Sequence, residues 1–168
     1  MKQNEAAKEK AARTPKQRVV KEKANTESAS QADLRAGGLD ERVLLALRAA
    51  SDKKALDLVV LDLRPLASFT DYFLITSGTN VRQVQAIADE VVERLKHEGT
   101  RAARVEGYNT AEWVLLDYGD FIFHIFEDKA RRFYDLERLW RDAARVELPV
   151  ELRGEVSNSS PSSLRKES

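Results

Sequence analysis

The chain has 168 residues, with 28 basic and 28 acidic side chains. That is enough for one domain with tails, and it excludes the overall positive field that holds nucleic acid non-specifically. With no cysteine and two histidines, His97 and His124, a disulfide framework, a thiolate metal site, a cysteine nucleophile and a histidine-rich metal centre are excluded too.

Residues 1–37 hold nine basic and five acidic residues, and their only large apolar residues are Val19, Val20 and Leu34. Such a segment buries too little apolar surface to offset its ordering entropy. It is expected to be a disordered, mildly basic tail. Its start, MKQNEAAKEKAARTPKQ, lacks the apolar core of a signal peptide, and Glu5 and Glu9 argue against a transit peptide. No apolar run nears the ~20 residues of a membrane span. The expected setting is therefore cytoplasmic, with no membrane contact.

A helix is expected from Asp40, with Leu39, Val43, Leu44, Leu47 and Ala50 on one stripe. LDLVVLDL at 56–63 follows as a strand buried at Leu58–Leu61 and ended by Arg64-Pro65. DYFLITS at 71–77 is a second strand. Asn80 and Gln83 have the spacing of a capping box. The helix they open carries Val81, Val84, Ile87, Ala88, Val91, Val92 and Leu95 on its apolar face, and Gly99 closes it. Residues 101–107, 112–117 and 121–126 read as three more strands, and 129–145 as a last helix packing Phe133, Leu136, Leu139, Trp140 and Ala143. The sum is an α/β (α+β) domain over residues 38–145, with a mixed five-stranded sheet and flanking helices. A second disordered tail is expected over 146–168.

The informative stretch is EWVLLDYGDFIFHIF, residues 112–126. With Gly119-Asp120 as a two-residue loop, glycine takes the first central position of a type II′ turn and Tyr118 faces Phe121. Asp117 then pairs with Ile122, Leu115 with His124, and Trp113 with Phe126. Alternation puts Val114, Leu116, Tyr118, Phe121, Phe123 and Ile125 on one face, which should be core. Trp113, Leu115, Asp117, Ile122, His124 and Phe126 share the other, a mixed face on which Asp117 and His124 are diagonal neighbours about 7–8 Å apart at the backbone. Three roles stay open for this pair. It is an acid–base dyad serving a hydroxyl such as Ser68, Thr70, Thr76 or Ser77, though no G-x-S-x-G elbow is present. Or it is a hydrogen-bonded structural pair. Or it belongs to a docking face, with Trp113 as an aromatic anchor.

Other chemical signals are thin. SGTN at 77–80 precedes a helix but matches no phosphate-binding loop. Asp62, Asp117 and Asp120 do not form the paired carboxylates of a two-metal site. No metal site or cofactor site is expected. Arginines 131, 132, 138, 141 and 145 make the last helix basic, a solvated face by default and a candidate contact for ribosomal RNA, as is the basic tail.

SFTDYFLITSGTN (68–80), VEGYNTAEWVLLDYGDFIFHIF (105–126) and RRFYDLERLW (131–140) resemble, in order and spacing, the ribosomal silencing factor (RsfS, Iojap-like) family. The resemblance spans about residues 39–145. It implies a nucleotidyltransferase-like fold without catalytic carboxylates, and a translation factor that is not an enzyme. It implies binding to the large ribosomal subunit through ribosomal protein L-fourteen, a steric block to small-subunit joining, and lowered translation when nutrients are scarce. A part in large-subunit biogenesis and a homodimer when free are also implied. The family's docking motif falls here on Trp113, Leu115, Leu116, Asp117 and Tyr118. The competing expectation is a degenerate nucleotidyltransferase-like enzyme using Asp117 and His124.

Overall fold

The structure, a computed structural model, describes residues 38–154. The chain divides into two compact units, Met1–Asp40 and Glu41–Ser168. Of the first, only Gly38 to Asp40 are described, with Leu39 buried; the expected basic tail, residues 1–37, lies outside the described residues.

In the second unit, helix α1 (Glu41–Asp52) buries Val43, Ala46, Leu47, Ala49 and Ala50. Strand β1 (Leu56–Asp62) follows, buried at Val60 and Leu61, with Leu58 and Val59 only half-buried. Its buried stretch is shorter than expected because a bulge falls between Leu56 and Val59, where Asp57 takes a φ of 47°. Strand β2 (Tyr72–Gly78) is buried from Phe73 onward, as a strand with neighbours on both edges and helices on both faces must be.

Helix α2 (Val81–His97) begins where the sequence places it. Asn80 Oδ1 accepts from Gln83 N at 2.9 Å. The Gln83 carboxamide oxygen reaches back one residue further than a capping box requires, accepting from Thr79 N at 2.7 Å. At the far end, Gly99 N donates to Lys96 O and Thr100 N to Leu95 O, the paired bonds of a Schellman motif. Val84, Ile87, Ala88, Val91 and Leu95 are buried, the larger ones each contributing roughly 1.5–3 kcal/mol. Val81, in the first turn, stays exposed.

Strand β3 (Arg104–Glu106) is followed by β4 (Trp113–Asp117) and β5 (Phe121–Glu127). The β4–β5 hairpin has the expected register, Trp113↔Phe126, Leu115↔His124 and Asp117↔Ile122. Gly119 takes a φ of 83°, and Tyr118 N donates to Phe121 O at 3.0 Å. Strands β2 and β5 run parallel, while the other pairs are antiparallel, so the sheet is mixed.

The sheet has six strands, not five, in the order β3-β4-β5-β2-β1-β6. The sixth, β6 (Ala144–Arg145), pairs with Leu61 and Asp62 on β1. Two residues carry no periodicity, so a sequence pattern cannot register them.

The expected helix over 129–145 is also revised. It is two short helices, α3 (Asp128–Tyr134) and α4 (Leu136–Leu139), separated by Asp135 in the left-handed region at φ 48°, ψ 55°. Aspartate tolerates that conformation better than most residues. The break turns Leu136 and Trp140 onto the sheet and leaves Phe133 and Leu139 exposed, at 80% and 74%. The packed chain continues past Arg145: Leu148 and Leu152 are buried, and a 3-10 turn, Val150–Leu152, lies against α1.

The result is three layers. On one sheet face lies α2, itself packed against α1. The other face, built on Leu61, Leu63, Phe73, Ile75 and Phe126, is partly covered by Ala130, Leu136 and Trp140 of the α3–α4 segment.

Candidate functional site

The residues of 113–118 divide by side-chain parity. Val114, Leu116 and Tyr118 point into the α2 layer with Phe121, Phe123 and Ile125, and all six are buried. Trp113, Leu115 and Asp117 point to the other face and are half-buried. The five residues of the expected docking motif therefore lie on two faces. Leu116 is fully buried, and the Tyr118 hydroxyl is enclosed without a hydrogen-bond partner among the described residues. Burial pushes that phenol up to about 12.

Trp113 lies in an aromatic setting. Its ring stacks on Phe126 at 5.0 Å and meets Tyr134 of α3 at 4.8 Å. Its indole N–H donates to His124 Nδ1 at 3.1 Å. The edge-to-face and offset contacts of such rings are each worth about 0.5–1.5 kcal/mol beyond area burial. Tyr134 was not legible as a neighbour of Trp113, because the contact joins α3 to β4 through the fold and leaves no local pattern in the sequence.

His124 and Asp117 do not meet. His124 is 3% exposed and packs edge-to-face on Phe73 at 4.5 Å. Desolvation pushes its imidazole down to about 4, so at neutral pH it is an uncharged acceptor for Trp113. The Asp117 carboxylate accepts from Gly119 N at 2.9 Å and faces Arg104 Nη2 at 3.4 Å. The acid–base dyad that sequence spacing allowed is thus not assembled: each member is committed to a different partner. Three of the four candidate hydroxyls are committed as well. Thr70 Oγ1 donates to Gly119 O at 2.9 Å, Thr76 Oγ1 donates to Leu56 O at 2.6 Å, and Ser77 Oγ accepts from Arg131 at 3.2 Å.

The tip of the hairpin is anchored from three sides. Besides the Thr70 bond, Asp71 N donates to Asp120 O at 2.9 Å, and the Arg42 guanidinium of α1 grips the Asp120 carboxylate at 2.6 Å. The SFTDY and YGD segments are one spatial clasp, and it holds Asp117 and Tyr118 in place. Asp62 is likewise occupied, by the Arg64 guanidinium at 2.9 and 2.8 Å, whose side-chain hydrogen bond holds the carboxyl below its ordinary range. Among the described residues no three His, Asp or Glu side chains gather as they would around a metal ion. No helix among them is long and apolar enough to cross a membrane.

What the site offers a partner is a rigid sheet face with a half-exposed indole, a leucine and a carboxylate. The exposed Phe133 and Tyr134 lie beside it.

Residues 38–168 match the family described as "RsfS: Ribosomal silencing factor during starvation". A curated relative, "Ribosomal silencing factor RsfS" of Halalkalibacterium halodurans, is 44% identical over 108 residues, covering 64% of this chain and 92% of that one. "Mitochondrial assembly of ribosomal large subunit protein 1" of Mus musculus is 33% identical over 91 residues, covering 52% of this chain and 40% of that one. A crystal structure of a Bacillus halodurans protein superposes with a TM-score of 0.57 at 42% identity, covering 63% of this chain and 96% of that chain.

Proposed function

The chain belongs to the ribosomal silencing factor family, and from that premise we propose that it docks on the large ribosomal subunit through ribosomal protein L-fourteen and keeps the small subunit from joining. The consequence is lowered translation in a nutrient-poor cytoplasm. The observation that carries this reading is Trp113: a large aromatic, half-exposed on a rigid face, with a leucine and a carboxylate on the same strand face. Aromatic anchors of this kind dominate protein interfaces. In this reading Trp113, Leu115 and Asp117 touch the partner. Leu116 and Tyr118 act from beneath, by holding β4 against α2.

No chemistry is required of such a factor, since occupying the joining surface is sufficient. The separation of Asp117 from His124 supports this over the nucleotidyltransferase-like alternative. A role in assembling the large subunit uses the same docking event, and the name of the mouse relative favours keeping it as a second outcome. The basic α3–α4 segment is a secondary candidate for ribosomal RNA contact, and a homodimer of the free chain competes for the same face.

Sucrose-gradient sedimentation of subunits mixed with the full chain tests the reading. The chain is expected to travel with the large subunit and to shrink the joined-ribosome peak. Trp113→Ala, still folded, is expected to lose at least about 2 kcal/mol of subunit affinity. Parent-like affinity of that folded variant would remove Trp113 from the interface and with it this docking assignment.

A further inference from the structure

We infer that His124 is the positioning residue of the docking face: its Nδ1 holds the Trp113 indole N–H inward, so the partner meets a preset aromatic ring. This rests on the docking reading above and adds to it a residue that itself never touches the partner.

Three observations carry it. The first is the bond itself, Trp113 Nε1 to His124 Nδ1 at 3.1 Å, between residues opposed across one strand pair and displaced by two. It commits the only polar atom of the indole, leaving ring surface as what Trp113 presents. The second is the cost of the histidine. Its other nitrogen, Nε2, is buried without a hydrogen-bond partner among the described residues. A benzene ring of similar size would fill the slot between Phe73 and Phe126 without that orphaned polar group, and leaving such a group unmade lowers stability. A histidine is therefore worse than an apolar ring here as core material, and what it supplies in return is an acceptor for Trp113. The third is that the half-exposed indole is also flanked by Phe126 and Tyr134. Ring contacts of this kind are not directional about the indole's polar edge, and the hydrogen bond supplies that direction by fixing Nε1 inward. An interface that does not have to freeze a side chain on binding keeps that entropy as affinity.

The test uses the full chain. It contains two tryptophans, Trp113 and Trp140, so a nitrogen–proton NMR spectrum shows two indole signals, and the one lost in Trp113→Phe is that of Trp113. In His124→Phe that signal is expected to shift and its solvent exchange to quicken, while large-subunit affinity falls roughly tenfold, the upper end for freezing one side chain. His124→Gln, which restores an acceptor oxygen, is expected to recover much of both. In a Trp113→Phe background, which has no N–H to hold, His124→Phe is expected to add nothing. The inference is overturned if His124→Phe binds like the parent while Trp113→Ala binds weakly. It is equally overturned if His124→Phe costs as much in the Trp113→Phe background as in the parent, since the effect would then be packing alone. If His124→Phe does not fold, Trp113→Phe removes the same bond from the donor side, and parent-like affinity of that variant overturns the inference. If Trp113→Ala itself binds like the parent, the docking reading has failed and the inference falls with it.

Discussion

Asp117 and His124 are neighbours on one sheet face, yet they sit in different solvents. The carboxylate keeps contact with water, a turn N–H and an arginine, while the imidazole is enclosed by Phe73, Phe126 and Trp113. That difference has a measurable consequence in acid. His124 titrates near its ordinary 6.5 in the unfolded chain and is pushed down to about 4 by burial in the fold. Between those values the unfolded chain binds more protons than the folded one, so stability is lost as pH falls from about 6.5 to about 4. The difference between thermal melts of the parent and of His124→Phe should therefore move steadily in favour of the variant as pH falls through that window. Asp62, held below its usual range by Arg64, also loses its contribution in acid, but it is common to both proteins and cancels in the difference. Parallel curves would mean that His124 is not buried as described. Which residues faced each other here was legible from alternation and turn chemistry alone. Whether Asp117 and His124 shared a bond was not, because a diagonal pair has several rotamers and the competing partners, Arg104 and Gly119 for the acid and the indole for the base, come from outside the pair.

At the scale of elements, long periodic segments were legible and short ones were not. Helix α2 spans 17 residues with a cap at each end, so local and tertiary preferences agree. The α3–α4 segment deceived because its apolar residues keep helical spacing across Asp135, while the backbone turns left-handed there. A long-range clasp compensates for the lost helical bonds: the Arg131 guanidinium joins Glu137 across the break at 2.9 Å and also reaches Ser77 and Leu56 O on the sheet. Partners that distant in sequence leave no local signal. A similar long-range constraint governs entry into β4. Gly107 takes a φ of 74°, and a Cβ there would collide with the Trp113 carbonyl oxygen. Gly119 has a comparable φ of 83° but nothing near its absent Cβ. Gly119→Ala is therefore expected to cost about 1–2 kcal/mol of left-handed strain. Gly107→Ala must also push β4 away and is expected to cost more than about 3 kcal/mol. Urea unfolding midpoints measure both, and equal costs would mean that the loop carrying Gly107 yields without disturbing Trp113.

For the whole molecule, the balance of 28 basic against 28 acidic side chains bears on how the subunit is held. A protein that grips rRNA through six to ten phosphates loses about 10³–10⁵ in affinity between 50 and 200 mM salt, because counterions are released on binding. Much of the positive charge of the described residues is already paired and is not free to be spent in that way. Among the described residues Arg42, Arg64, Arg94, Arg131, Arg132, Arg145 and Arg153 are all engaged with carboxylates. The face that carries Trp113 and Leu115 is apolar at its centre. If docking is a contact between two proteins through that face, affinity for the large subunit should fall by less than about tenfold over the same salt range, and the loss caused by Trp113→Ala should be nearly the same at both ends of it. Co-sedimentation at graded potassium chloride concentrations measures the slope. A steep slope that Trp113→Ala leaves intact would move the contact from the sheet to the basic α3–α4 segment, with Arg138 and Arg141 as the residues to change next. A shallow slope together with a salt-independent Trp113 effect places the binding energy on the aromatic face. With the proposed docking at the joining surface, steric exclusion then needs position alone, since a neutral domain there would exclude the other subunit by its volume and not by its field.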